Sequence, residues 1–233
     1  MAFKKRIKGE SRYLGIRDAY LIRLAVDLDV IHIGCTDWPF TRVNSENRTL
    51  LHLKLEKICS TLIGVDIDLE GLKYLETLVP GRYLHANLLE ENISSAFEST
   101  NVDLILVPDV LEHVPNQRDF LKGCLDLAKS LNADIVFTTP NQYAIKAMLG
   151  ILIGLDFTHS DHRVVHNRIT LETSLADLGI SQEEIVIDYV SRDIRERYGI
   201  LLSTLSKGID KMLFMKPYLA DSLVVLIRNS SDL

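Results

Sequence analysis

A chain of 233 residues with 47% hydrophobic and 25% charged residues has the balance of an ordinary globular protein, long enough for one large domain or two small ones. A formal net charge of −6 counts against nonspecific nucleic-acid binding, which needs basic surface to neutralise phosphates. Three scattered cysteines without CxxC or Cys/His ligand spacing exclude a disulfide framework and a structural zinc site, and fit a reducing cytoplasm.

In chain order, the basic cluster Lys4-Lys5-Arg6-Ile7-Lys8 opens the sequence without the apolar core of a secretion signal, and reads as a solvated end. Residues 11–27 are predicted to be helical, most of them within an N-terminal extension of residues 1–24. A strand follows at 29–33, then a polar, mobile loop from Thr41 to Arg48, then a helix carrying Leu50, Leu51, Leu53, Leu55 and Ile58. "TLIGVDID" is a second strand ending in acids, and "LEGLKYLETLV" a helix stopped by Pro80-Gly81. "RYLHANL" reads as a short third strand and "VDLILV" (102–107) as a fourth, followed by a helix from Gln117 to Leu131. "ADIVFTT" is a fifth strand, ending at Pro140-Asn141. The apolar stretch 143–155 is helix-like but shorter than the roughly 20 residues a bilayer span needs, and packing on the sheet accounts for its apolarity. After the His-rich "FTHSDHRVVHNR" come a short helix, a sixth strand in "EEIVIDYV", a helix over 194–216 and a last strand in "DSLVVLIRN". The last two strands suit an antiparallel pair at the sheet edge.

Continuous apolar strands separated by helices are what a parallel sheet covered on both faces requires. Right-handed crossovers then bring "GCTD", "DID", "HAN", "PDVLEH" and "TTPN" to one edge, the C-terminal ends of the strands, where open α/β sheets bind ligands. Five polar clusters on one edge weigh more than any one of them.

The pattern "HIGC … GVDID … DVLEHV … TTPN … DH" resembles the class I S-adenosylmethionine-dependent methyltransferases over roughly residues 25–230, and within them the branch associated with polysaccharide and other glycan biosynthesis. The resemblance implies a single Rossmann-like, doubly wound α/β domain over 1–233, with a seven-stranded sheet, mostly parallel, whose last strand is antiparallel. It implies S-adenosylmethionine as cofactor and a small-molecule or glycan-related acceptor, methylated on oxygen or nitrogen, with residues 143–180 on the acceptor side as wall or lid. A lipid-linked acceptor and peripheral membrane contact are compatible with it; nucleic acid and a transmembrane segment are not expected.

Carried over residue by residue, "HIGCTDW" occupies the family's glycine loop. Gly34 matches its first glycine, His32 stands at its acidic position, and Thr36 and Trp38 replace the other two glycines. Backbone contact then remains at Gly34 and Cys35. Asp66 matches the acid that accepts hydrogen bonds from both ribose hydroxyls, with Asp68 as the alternative or as a helix cap. Gly34 and Asp66 are 32 positions apart, more than the roughly 20 of a dinucleotide fingerprint, which counts against NAD. Ala86-Asn87 replaces a Gly-Asp pair, and the Asn87 amide oxygen can accept the adenine amino proton as a carboxylate would. Backbone at Pro108 and Asp109 would line the methionine end, and Glu112 and His113 would begin the next helix, an end where acids are favoured. His159, Asp161, His162 and His166 fit no standard zinc spacing, so no metal is expected. Instead Asp161 would raise the pKa of His162 as general base, with His113 the second choice. The losses at positions 36 and 38 leave a rival open, a non-catalytic protein of the same fold with a binding or assembly role.

Overall fold

A computed structural model of the chain describes residues 11–90, 92–97, 99–193 and 203–229, without the side chains of residues 203–207. The basic cluster Lys4 to Lys8 and residues 194–202 of the expected 194–216 helix lie outside it. In order the elements are β1 (Tyr13–Ile16), α1 (Arg17–Ala25), β2 (Asp29–Ile33), α2 (Thr41–Glu46), α3 (Leu51–Leu55) and β3 (Thr61–Asp66). There follow α4 (Leu69–Leu78), β4 (Arg82–His85), β5 (Leu104–Pro108), α5 (Gln117–Leu131), β6 (Asp134–Pro140) and α6 (Ile145–Leu152). The chain closes with α7 (Arg168–Ala176), β7 (Ile185–Ser191), α8 (Ser203–Met215) and β8 (Ser222–Ile227).

Among the described residues the strands form one sheet of eight, ordered β1-β7-β8-β6-β5-β2-β3-β4. All neighbours are parallel except β8, which runs antiparallel to both β6 and β7. Alternation along the strands sends Ile31, Ile33, Ile105, Val107, Ile135 and Phe137 to one face, against α5 (Phe120, Leu121, Cys124) and α7 (Leu171, Leu175). Val30, Leu104, Leu106 and Val136 go to the other face, against Leu21 and Ala25 of α1 and Leu51 and Leu55 of α3. Both faces are therefore covered, as the continuous apolar runs require.

Two expectations change here. The sheet has eight strands rather than seven, because the start of the expected 11–27 helix is β1. Gly15 adopts φ +89°, a conformation outside the helix. Arg12 ties the segment to Asp188 of β7 through its backbone N–H (2.7 Å) and Nη2 (2.8 Å), and its carbonyl accepts Tyr189 N–H. Tyr13 stacks edge-on against Phe214 at 5.2 Å, and its hydroxyl donates to Asp210. The β7–β8 pair is antiparallel as expected, yet β8 lies inside the sheet and β1 shields β7 from being the edge.

Residues 41–46 are helical rather than a loop; Thr41 and Ser45 are buried, with the Ser45 hydroxyl donating to Thr41 O at 2.6 Å. The 143–155 stretch does not pack into the core as expected: Ile151 and Leu152 of α6 and the following Ile153 are 74%, 79% and 70% exposed. Among the described residues no helix is long and apolar enough to cross a membrane. The three cysteines are free.

Candidate functional site at the C-terminal edge of the sheet

The edge begins where β2 turns at Gly34. Its φ is +78°, and a Cβ there would lie 2.3 Å from Val110 Cγ2. Glycine is needed for the turn and for the approach of Val110, so the space beside its Cα is filled by protein. Cys35 sends its side chain inward to Leu50, Leu72 and Leu75, which leaves the backbone as what this turn presents. Thr36 is buried; its N–H and hydroxyl both donate to Asp66 Oδ2 at 2.9 Å. Asp66 Oδ1 accepts Asp68 N–H at 3.0 Å. Three of the roughly four acceptor positions of this carboxylate thus serve its own chain. Asp68 occupies the N-cap position of α4 without a side-chain capping bond.

Asn87 stands one residue beyond Ala86, whose N–H donates to Asp66 O. The Asn87 amide oxygen accepts Leu89 N–H at 3.1 Å, which fixes the turn after β4. Trp38, in place of a glycine, is 68% exposed. His32, at the acidic position, is buried with its Nδ1 3.2 Å from His52 Nδ1.

Pro108 ends β5 opposite Thr138, and Asp109 follows at φ +52°. Asp109 Oδ1 accepts the Thr138 hydroxyl at 2.7 Å, while Oδ2 pairs with Arg17 and, at 2.7 Å, with Arg192. Burial alone would raise this carboxyl, but the two guanidiniums and the Thr138 hydroxyl overcome it and hold it below the usual carboxylate range. Arg17 also binds Asp18 through Nε and Nη2. Asp37, raised mainly by burial, lies within the field of Arg17, Arg192 and Asp109. Arg17 and Arg192 were not singled out from the sequence. One lies in the segment read as an extension helix, the other just beyond β7, and neither belongs to a motif.

Glu112 and His113 precede α5 rather than beginning it. Pro115 disfavours helix at Val114, and Asn116 caps α5 by accepting Asp119 N–H. Glu112 is fully buried. Its Oε2 accepts the Thr139 hydroxyl at 3.2 Å, and its Oε1 has no hydrogen-bond partner among the described residues. Burial, then the Asp109 charge, pushes its pKa up to about 8.

The 153–167 segment brings His162 to this point. Arg163 fastens it by donating N–H to Glu112 O (2.8 Å) and Nε–H to His113 O (3.1 Å). The His113 and His162 rings meet edge-on at 4.8 Å, and His159 lies 5.4 Å from His162. Burial, then His113 and His159, pushes the His162 pKa down to about 4. Asp161 is directed to His159 (3.8 Å) rather than to His162, so the expected rise in His162 pKa is absent. His166 is separate, buried, and forms a bridge with Asn141. Two surface cavities, of about 440 and 470 Å³, open elsewhere on the molecule, and neither is lined by these residues.

Residues 47–131 match a family described as a methyltransferase domain. No curated protein matches the chain in sequence. Among solved structures the chain is similar to a SAM-dependent methyltransferase from Archaeoglobus fulgidus (19% identity, 91% of this chain and 92% of that one, TM-score 0.51). It is also similar to an S-adenosylmethionine-dependent methyltransferase from Mesorhizobium loti (14% identity, 90% and 96% coverage, TM-score 0.51). The small RNA methyltransferase HEN1 aligns at 17% identity and TM-score 0.58, over 92% of this chain but 25% of that one. With β1 set aside, the strand order is compatible with the class I arrangement, and the chain has the mixed α/β, Rossmann-like fold of methyltransferases.

Proposed function

We propose that this protein is an S-adenosylmethionine-dependent methyltransferase of one domain, acting on an oxygen or nitrogen of a small, glycan-related acceptor. The observation that carries the reading is the convergence of the Gly34 turn, Asp66 and Asp109 on one sheet edge, in a chain whose residues 47–131 match a methyltransferase domain. Bound S-adenosylmethionine supplies an electrophilic methyl group. The chain's residues fit its parts by charge and donor type. Asp66 retains acceptor capacity for ribose, and the Asn87 amide stands at the neighbouring strand end for adenine. The backbone of Gly34, Cys35, Pro108 and Asp109, with the Arg17 and Arg192 guanidiniums, suits an amino-acid end carrying a carboxylate. On the acceptor side His162, with His113 as the second candidate, would take a proton from an acceptor hydroxyl. Catalysis is otherwise alignment of the acceptor behind the methyl carbon. The net charge of −6 favours a small acceptor over nucleic acid. The exposed apolar face of α6 supports an acceptor with an apolar or lipid-linked portion.

A second reading, a methyltransferase-fold protein without transfer activity, is favoured by one feature: Asp66 already holds Thr36 and Asp68. Calorimetric titration with S-adenosylmethionine and S-adenosylhomocysteine separates the two. The transferase reading expects saturable binding, no response to NAD, and at least about tenfold weaker affinity in Asp66→Asn, the loss of about one charge-assisted hydrogen bond. Absence of binding by both ligands leaves the second reading standing.

A further inference from the structure

Glu112, His113 and His162 are brought together by tertiary structure alone. The Glu112 side chain is fully buried, and among the described residues its Oε1 has no hydrogen-bond partner, an arrangement that costs free energy unless a partner fills it. The atoms of the three side chains able to bind a metal all lie within 4.8 Å of one another. Ligands about 2.1 Å from one tetrahedral ion stand about 3.4 Å apart, so closure asks only modest rotations, chiefly of the exposed His113 ring. The two Arg163 bonds to Glu112 O and His113 O hold the His162 segment in register against this turn.

We propose that Glu112, His113 and His162 form a binding site for one divalent transition-metal ion. Two imidazoles with one carboxylate are the donor set of three-ligand sites that leave a position open for water or substrate. Imidazole donors favour Zn²⁺, Co²⁺ or Fe²⁺ over Mg²⁺ and Ca²⁺, which prefer oxygen ligands throughout. Thr139, donating to Glu112 Oε2, holds the carboxylate in place and leaves Oε1 unused. The His spacings within 159–166 miss this set, because Glu112 and His113 lie about 50 positions upstream. On the acceptor side of the edge, such an ion would bind an acceptor hydroxyl and make it more acidic, taking over the proton-removing role from the imidazoles, whose lone pairs it would occupy. Metal binding does not depend on the transferase reading; only this use of the ion does.

The test uses the full chain, stripped with a chelator and titrated with Zn²⁺ by calorimetry and with Co²⁺ by visible absorption. One ion per chain is expected. Glu112→Gln and His162→Gln should each weaken Zn²⁺ at least about tenfold, the scale on which even supporting residues of metal sites act. His85→Gln, an exposed histidine at the end of β4, should bind as the parent does. Should Glu112→Gln fail to fold, His162→Gln, on a partly exposed segment, carries the test. No saturable binding up to about 1 mM, an affinity of roughly 4 kcal/mol, overturns the site. So does parent-like affinity in His162→Gln, which would assign the ion to other surface histidines. S-adenosylmethionine titrated without metal reports separately on the transferase reading.

Discussion

At the ends of β2, β3 and β5 three acids are partnered by their own chain: Asp66 by Thr36 and Asp68, Asp109 by Arg17, Arg192 and Thr138, Asp37 by Asn44. Across the edge, at the 153–167 segment and the turn it covers, a buried Glu112 oxygen and both ring nitrogens of His166 have no hydrogen-bond partner among the described residues, and Ile151, Leu152 and Ile153 at the end of α6 are exposed. The first region is organised before any ligand arrives. The second holds three of the four buried side-chain atoms without a partner among the described residues, the fourth being His32 Nε2, together with an exposed apolar stretch. Low-dielectric surroundings make that difference energetically large, since satisfied buried groups rigidify while unsatisfied ones favour whatever completes them.

The strongest way to break this comparison is at Asp109. Asp109→Ala leaves Arg17, whose side chain is 18% exposed, without one of its two carboxylates. Removing one partner of a buried pair should cost about 3–5 kcal/mol, measured by urea unfolding. A loss below about 1 kcal/mol would mean that charge pairing does not organise the first region.

A smaller effect should follow pH. Burial pushes His52 down to about 4 and His32, also beside His52, well below its ordinary value. Unfolded imidazoles titrate near about 6.5, so below that pH the unfolded chain binds more protons than the folded one. Stability is therefore fully present above about 6.5 and lost as pH falls towards 4, by roughly 1–2 kcal/mol per buried ring at pH 5. Denaturation at pH 7.5 and 5 should show this loss, and His52→Phe should reduce it. An unchanged acid limb in that variant would assign the protons to other groups.

The smallest effect should come from α6. Leu152 is 79% exposed, so Leu152→Ser should change stability by no more than about 0.5 kcal/mol. If the face contacts an apolar acceptor, KM for that acceptor should rise while cofactor affinity stays constant. A large stability loss would show that the face is covered within the folded protein, and would remove the contrast between the two regions.

Much of this architecture follows from local pattern. Strands β2, β3, β5 and β6 are apolar runs ended by turn residues, and α5 begins and ends where the pattern puts it, at Gln117 and Leu131, capped by Asn116 and by Asn132 in a left-handed conformation. Because parallel strands send their C-terminal ends to one edge, Gly34, Asp66, Asn87, Pro108 and Asp109 were legible together there. Position along the chain, however, does not state which atoms meet. Gly15, Arg12 and Asp188 turn an apparent helix into β1 only because β7 lies beside it. Arg17 and Arg192 reach Asp109 from opposite ends of the sequence. Glu112 reads locally as an acid suited to a helix start, but α5 begins at Gln117 and the turn before it points the side chain inward. There it meets Thr139 and His162, neighbours that local sequence does not specify, and long-range packing decides both its burial and its chemistry.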